Sequence, residues 1–363
     1  MHRVKHLFEQ ISSMANLHQA AIETLRGKRM TQPGARFFAV MEKEIPTLHD
    51  ELTSGSYRHG PYNYFQIQEP KVRQVAAAQF RDRVVHHAIV RVLEPIFEKR
   101  FIEDSFACRV GKGTHAAMRR ALHFARGHRF ALKCDVSKFF PSVDHGVLIG
   151  LVKRVVGDAR LIDLLGGILA SHADRVEQEW DHGSGLFDFR TLPKGLPIGN
   201  LTSQFMANVY LNPLDHFIKH DLRVSGYVRY MDDFILFGDG QWMLKECGQR
   251  VKLKLGELKL RMHPDKYRLV PTGKGVDFAG FVAFASGRVR VRSSSVKRFD
   301  RRFKRMLWEA KNRQIDYSEV RTSVRAWGAH VAHAQSYGLR STLLGRRRER
   351  RPRTATARVT GAR

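Results

Sequence analysis

The stretch that most constrains this chain is Tyr227-Val228-Arg229-Tyr230-Met231-Asp232-Asp233-Phe234-Ile235-Leu236-Phe237. Aromatic and branched residues flank two adjacent acids; the flanks favour strands and Asp favours turns. The spacing predicts a β-hairpin with Asp232 and Asp233 at or just after its tight turn. Two carboxylates held at a stiff tip suit hard divalent cations, which take oxygen ligands. An acidic surface turn is the ordinary reading of an isolated Asp-Asp pair, so other features must decide.

Charge narrows the choice. The 363 residues carry 63 Lys and Arg against 35 Asp and Glu, a formal charge of +28. Such an excess repels itself in a compact state unless a polyanion neutralises it. Nucleic acid is the first candidate and an anionic membrane surface the second. No 18-residue uncharged apolar run exists, and Met1 to Gln10 has no apolar signal core, which argues against the membrane. Cys108, Cys134 and Cys247 are odd in number and far apart. They fit small buried hydrophobes in a reducing cytosol better than a disulfide or zinc framework.

A second acid emerges from the strand and helix patterns. Phe130 to Phe140 reads as a buried strand running into Asp135, with Asp144 as the N-cap of the next helix. A carboxylate at the end of an apolar strand is costly unless a cap, a cation or a metal satisfies it. Upstream, residues 1–50 read as paired helices broken at Gly27 and Pro33-Gly34, and Tyr57 to Gln68 as short strands and turns. Lys71 and Arg73 share one face of a strand by the period of two, suited to a triphosphate or simply a solvated basic edge. Asp82 to Phe97 carries a helical apolar stripe. Phe106 to Val110 reads as a strand before a glycine turn, and a helix is expected from Ala116.

Val147 to Ala170 reads as one helix, and Ser171 to Leu192 as an irregular loop. Leu192 to Gln204 is a Pro/Gly-rich loop opening a helix near Ser203, whose free N–H groups can face an anion or a base pair. Leu258 to Lys266 is expected to begin as a strand and turn at Pro264; Val276 to Phe284 reads as a strand. Between Arg288 and Arg313 lie eleven Lys and Arg and two acids over an apolar stripe of Phe299, Phe303, Met306 and Leu307. That pattern suits a helix tracking a nucleic-acid backbone.

Asp135 and the Asp232-Asp233 pair are 97 residues apart, at a strand end and a hairpin tip. Two-metal phosphoryl transfer needs such acids to converge on cations ~3.5–4 Å apart. At this point the chain resembles the reverse transcriptases. Tyr230-Met231-Asp232-Asp233 matches their Y-x-D-D box, residues 57–285 follow their motif order, and the basic helices beyond look like the thumb. The style resembles group II intron, retron and diversity-generating retroelement enzymes rather than retroviral ones.

The resemblance implies an α+β right-hand polymerase with fingers, a palm of antiparallel sheet backed by helices, and a helical thumb. Its parts would be an N-terminal helical segment 1–50, fingers and palm 51–285, thumb 286–345 and a basic tail 346–363. It implies that Asp135, Asp232 and Asp233 are catalytic and hold two Mg2+ ions, or Mn2+, with the Val136 carbonyl as a further ligand. Lys71, Arg73 and Arg109 would hold the nucleotide from the fingers, and Phe140 would gate against a ribose 2′-hydroxyl. Ile198, Gly199 and Gln204 would face the incoming base pair, and Phe278, Ala279 and Gly280 would form the primer grip. Template RNA, a DNA or RNA primer and dNTPs are the implied partners, with a basic accessory protein for diversifying enzymes, no membrane, and a prokaryotic or phage-encoded cytoplasmic setting.

Most of the family has Q-G-x-x-x-S-P where this chain has Ile198-Gly199-Asn200-Leu201-Thr202-Ser203-Gln204. That departure resembles the diversity-generating enzymes, which make errors at template adenines. A related solo enzyme of a retron, group II-like or phage-defence system is the second reading. A catalytically silent RNA-binding protein on the same scaffold is the third.

Overall fold

The computed structural model describes residues 3–68, 72–173 and 193–345. Lys71, most of the expected loop 171–192 and the basic tail from 346 lie outside the described residues. The chain forms two compact units, one from residues 1–117 and 130–269, the other from 118–129 and 270–363. This division does not coincide with the line expected at 285.

The first unit is built around the acidic hairpin. Strands β1 (Asn63–Ile67) and β2 (Arg73–Ala77) pair as one antiparallel hairpin. Strand β3 (Phe130–Asp135) lies beside β5 (Asp233–Gly238), which also pairs with β4 (Gly226–Tyr230), both antiparallel. Leu132, Cys134, Tyr227, Phe234 and Leu236 are fully buried and join one hydrophobic core with the helices behind them. Helices Phe80–Glu98 and Leu201–His216 are central to that core; Val84, Ala88, Ile89 and Leu93 on the first are inaccessible, as are Ala207, Tyr210 and Leu214 on the second. These are the residues the 3.6-residue period places on one face.

The expected helix 147–170 is two helices, His145–Lys153 and Ala159–Ala173. Asp144 caps the first, its carboxylate accepting from Val147 N at 2.9 Å. Asp158 opens the second and also accepts from Leu7 N and Phe8 N at 3.0 and 2.9 Å, so one side chain caps two helices distant in sequence. Phe106 to Val110 is not a strand. Phe106 N donates to Arg229 O, but Cys108 turns left-handed at φ 53°, so no ladder continues. Leu258 to His263 is likewise no strand: Lys259 has φ 53°, and one bridge, Val136 to Met262, remains.

His86 lies inside this unit, 1% exposed and stacked on His59 at 5.1 Å. Burial, reinforced by His59, His87 and Arg83, draws its pKa down to about 3. The unfolded chain therefore binds a proton below pH ~6.5 that the folded chain refuses. His86 contributes fully above that pH, and its contribution is lost as pH falls from 6.5 toward 3, at up to about 1.4 kcal/mol per pH unit. Urea midpoints measured from pH 7 to 5 are expected to fall steeply in the wild type and less in His86→Leu. Equal slopes would place the effect elsewhere.

In the second unit, the expected strand 276–284 is a hairpin. After β6 (Arg268–Pro271), β7 (Val276–Phe278) and β8 (Phe281–Ala283) pair with Phe278 opposite Phe281. The two turn residues, Ala279 at φ 48° and Gly280 at φ 89°, are both left-handed, as a tight hairpin requires. β9 (Val289–Val291) completes the sheet. Helices Ser293–Lys311, Tyr317–Val331 and Tyr337–Gly345 follow, and Phe299 stacks on Trp327 at 4.0 Å. The stripe expected under the basic helix is therefore a packing seam. Among the described residues no helix is long and apolar enough to cross a membrane.

Candidate active site

The turn that carries the acids is two residues long. Tyr230 pairs with Asp233, leaving Met231 and Asp232 at the tip, with Met231 at φ 57°. Pairing of β3 with β5 sets Asp135 directly opposite Asp233, and Val136 N donates to Asp232 O at 3.2 Å. Asp135 and the adjacent Asp232-Asp233 pair, distant in sequence, thus share one end of one sheet. Directly opposed residues of an antiparallel pair have side chains about 5 Å apart, so their charges interact strongly.

The electrostatics record that crowding. Burial lifts the Asp233 carboxyl, the Lys133 ammonium pulls it back, and Asp135 and Asp232 lift it again, to about 6. Asp232 is also raised, by burial first and Asp135 second, against its own backbone, Lys266 and Arg73. Asp233 Oδ1 is buried without a hydrogen-bond partner. Like charges held together at the end of a hydrophobic strand stay ionised only with cations between them. Two lysines supply part of that charge: Lys266 Nζ lies 2.6 Å from Asp135 Oδ2, and Lys133 Nζ lies 3.4 Å from Asp233 Oδ2. Among the described residues no three His, Cys, Asp or Glu side chains form a ready-made metal cage. The donor set of hard carboxylate oxygens nonetheless suits Mg2+ or Mn2+.

A buried network fixes the turn from behind. Arg229 is inaccessible; it binds both Asp215 oxygens at 2.7 and 2.6 Å, Asn208 Oδ1 at 3.1 Å and the Met231 carbonyl at 3.0 Å. Burial alone would favour loss of its proton, but Asp215 overrides this and raises its pKa. Tyr227 donates to the same Asp215 oxygen at 2.7 Å. The acidic turn is therefore tied to helix 201–216 through a guanidinium that the sequence reading passed over. Its signal was a charge inside an otherwise apolar strand.

The loop before helix 201–216 is stitched to β2. Ile198 O accepts from Ala76 N at 2.9 Å, and buried Asn200 donates to Ala76 O at 2.7 Å and accepts from Ala78 N at 3.3 Å. Ile198 is half-buried, and Gln204 sits in the helix's first turn. Gly199 is exposed at φ 110°, where an added Cβ would stand 2.7 Å from Val75 Cγ1. Gly199→Ala is expected to cost about 1–3 kcal/mol through that backbone strain and contact. An unchanged thermal melt would contradict this. Asn200, not singled out from the sequence, is the side chain that joins this loop to β2.

The other candidates separate. Arg73 opens β2, exposed, and its charge reaches Asp232. Phe140 follows β3 in the short helix Phe139–Ser142, half-buried, its carbonyl accepting from Leu196 N. Arg109 is committed elsewhere. It is 9% exposed and bound to Glu98, the Ile102 and Ser105 carbonyls and Ser105 Oγ. Its guanidinium is held within the fold by these partners. Phe278, Ala279 and Gly280 form the tip of the second unit's hairpin, with Phe278 1% exposed beneath the turn.

The chain is similar to several known proteins. YkfC of Escherichia coli K12 is 28% identical over 77% of this chain and 82% of its own length. The group II intron-encoded protein LtrA of Lactococcus lactis subsp. cremoris is 26% identical over 49% of this chain, which spans only 28% of LtrA's length. A solved apo telomerase from Candida tropicalis aligns over 65% of this chain and 49% of its own, at 10% identity and a TM-score of 0.48. The model of the reverse transcriptase (RNA-dependent DNA polymerase) family matches residues 67–283, more than half of the sequence, and spans Asp135, Asp232 and Asp233. The chain belongs to that family, and its α+β fold is the right-hand polymerase fold.

Proposed function

We propose that this protein extends a primer with dNTPs on an RNA template by two-metal nucleotidyl transfer. The observation that carries the reading is the convergence of Asp135, Asp232 and Asp233 at one sheet end, with two of the three carboxyls raised by burial and mutual repulsion. Asp135 and Asp232 hold the cations, with the Val136 carbonyl beside them and Asp233 supporting through Lys133. Divalent cations held there would supply an acidified primer 3′-hydroxyl and offset the charge of the departing pyrophosphate. The hydroxyl oxygen forms the new bond to the α-phosphorus as the bond to pyrophosphate breaks. Arg73, with Lys71, meets the triphosphate, and Phe140 excludes a 2′-hydroxyl.

Primer extension on an RNA template with Mg2+ tests this. Activity that survives Asp232→Ala would remove the site assignment. RNA binding without extension in the wild type would favour the silent-scaffold reading instead.

The finer reading is error-prone synthesis of the diversity-generating type. It rests on Ile198, whose carbonyl is pinned to β2 while its apolar side chain offers no hydrogen bond to the nascent pair. Ile198→Gln is expected to change misincorporation opposite template adenine more than correct incorporation. Equal effects, read by sequencing cDNA from a defined RNA, would sink the subtype.

A further inference from the structure

The lysine on Asp135 is not a loose surface contact. Lys266 ends the turn Pro264–Lys266, and the segment leading into it is stitched to the strand that carries the acid. Ser137 N donates to Arg261 O and His263 N donates to Asp135 O, both at 2.8 Å, on either side of the bridge from Val136 to Met262. The backbone bond to the Asp135 carbonyl thus lies three residues before the lysine whose ammonium reaches Asp135 Oδ2 at 2.6 Å. The two contacts fix one another's register. The ammonium takes one lone pair of Oδ2, and a lone pair engaged by N–H is not available to a metal.

The exposures of the two partners differ. Asp135's side chain is 9% exposed, whereas that of Lys266 is 39% exposed. The acid is fixed in the sheet, but the lysine has a path to water along its own stem. Lys133 is less free at 20% exposure and stands farther from its acid, 3.4 Å from Asp233.

We infer that Lys266 is a resident counter-ion of the metal site, holding Asp135 while the enzyme is empty and yielding that carboxylate when a divalent cation binds. This inference rests on the polymerase reading of Asp135. The lysine holds the buried carboxylate in place in the free protein, and sets a threshold for loading because each arriving cation must break the ion pair. Lys266 is in this sense a positioning residue, acting through Asp135. A half-exposed pair is weak, so the threshold is modest, about three- to ten-fold in cation affinity.

The test is Mn2+ binding to the full chain without nucleotide or nucleic acid, read by electron paramagnetic resonance of free Mn2+. Wild type is expected to bind, and Asp135→Asn to lose most of that affinity. Lys266→Gln is expected to bind Mn2+ three- to ten-fold more tightly, and Lys266→Arg, which keeps the charge, to stay near wild type. In a second readout, acetic anhydride labelling of Lys266 followed by mass spectrometry should rise on adding Mg2+ to wild type. In Asp135→Asn it should already be high and insensitive to Mg2+. Unchanged or weakened Mn2+ binding in Lys266→Gln, or Lys266 labelling indifferent to Mg2+ in the wild type, overturns the counter-ion role while leaving the metal site intact. Wild-type binding that is absent or indifferent to Asp135→Asn overturns the metal-site reading itself, and this inference with it.

Discussion

Asp232→Asn is expected to abolish primer extension, with a loss of at least about 10^3-fold, while raising the protein's own stability. The first effect follows from removing a charged ligand where cation binding supplies several kcal/mol of transition-state stabilisation. The second follows from the raised carboxyl of Asp232, which burial and Asp135 hold above its ordinary value. A folded-state acid with a raised pKa binds its proton more tightly than the unfolded chain does. Stability is then lost as pH rises from the unfolded value through the folded one, and a neutral side chain escapes that penalty. Asp233→Asn should show the same sign more clearly. Its carboxyl is lifted to about 6, so the gain at pH 7.5 is expected to be about 3 kcal/mol. Melts in chelator, run beside extension assays, read both quantities. RNA affinity should hardly change, because it is set by the protein's large positive charge. Inactive variants that melt below wild type would mean that the acids are structural.

Arg229→Met is expected to produce the largest loss of stability, about 3–5 kcal/mol, because it leaves Asp215 charged and buried without its partner. The double variant Arg229→Met with Asp215→Leu should recover most of that loss, since neither charge then remains in the core. Recovery will not extend to activity. The guanidinium also holds the Met231 carbonyl, and without it the turn carrying Asp232 loses its fixed support. Urea midpoints and extension rates on the same three proteins separate the two effects. A double variant no more stable than Arg229→Met would show that the strand depends on the pair for something other than charge balance.

Much of the site was legible because its signals are local. An acid pair between two runs of strand-forming residues can only sit at a turn, and the structure has that turn at Met231 and Asp232. Asp144 as a cap and the helix Phe80–Glu98 follow from equally local patterns. The errors share another cause. Phe106 to Val110 and Leu258 to His263 have strand-like composition, but left-handed Cys108 and Lys259 end any ladder before it forms. Arg109 was assigned to the nucleotide only through its place in the family's motif order. Only the fold shows Glu98 waiting one helix end away.

Taken alone, the sequence determined which residues carry negative charge at strand ends, that the surface is strongly basic, and which family's motif order the chain follows. These depend on residue type and short spacing. Tertiary structure decided everything that requires long-range partners. It set Asp135 opposite Asp233, paired Arg109 with Glu98, tied the acidic turn to Asp215 through Arg229, and placed Lys266 on Asp135. The physical reason is that a side chain's charge is written in the sequence, but what neutralises it is whatever the fold brings within a few ångströms.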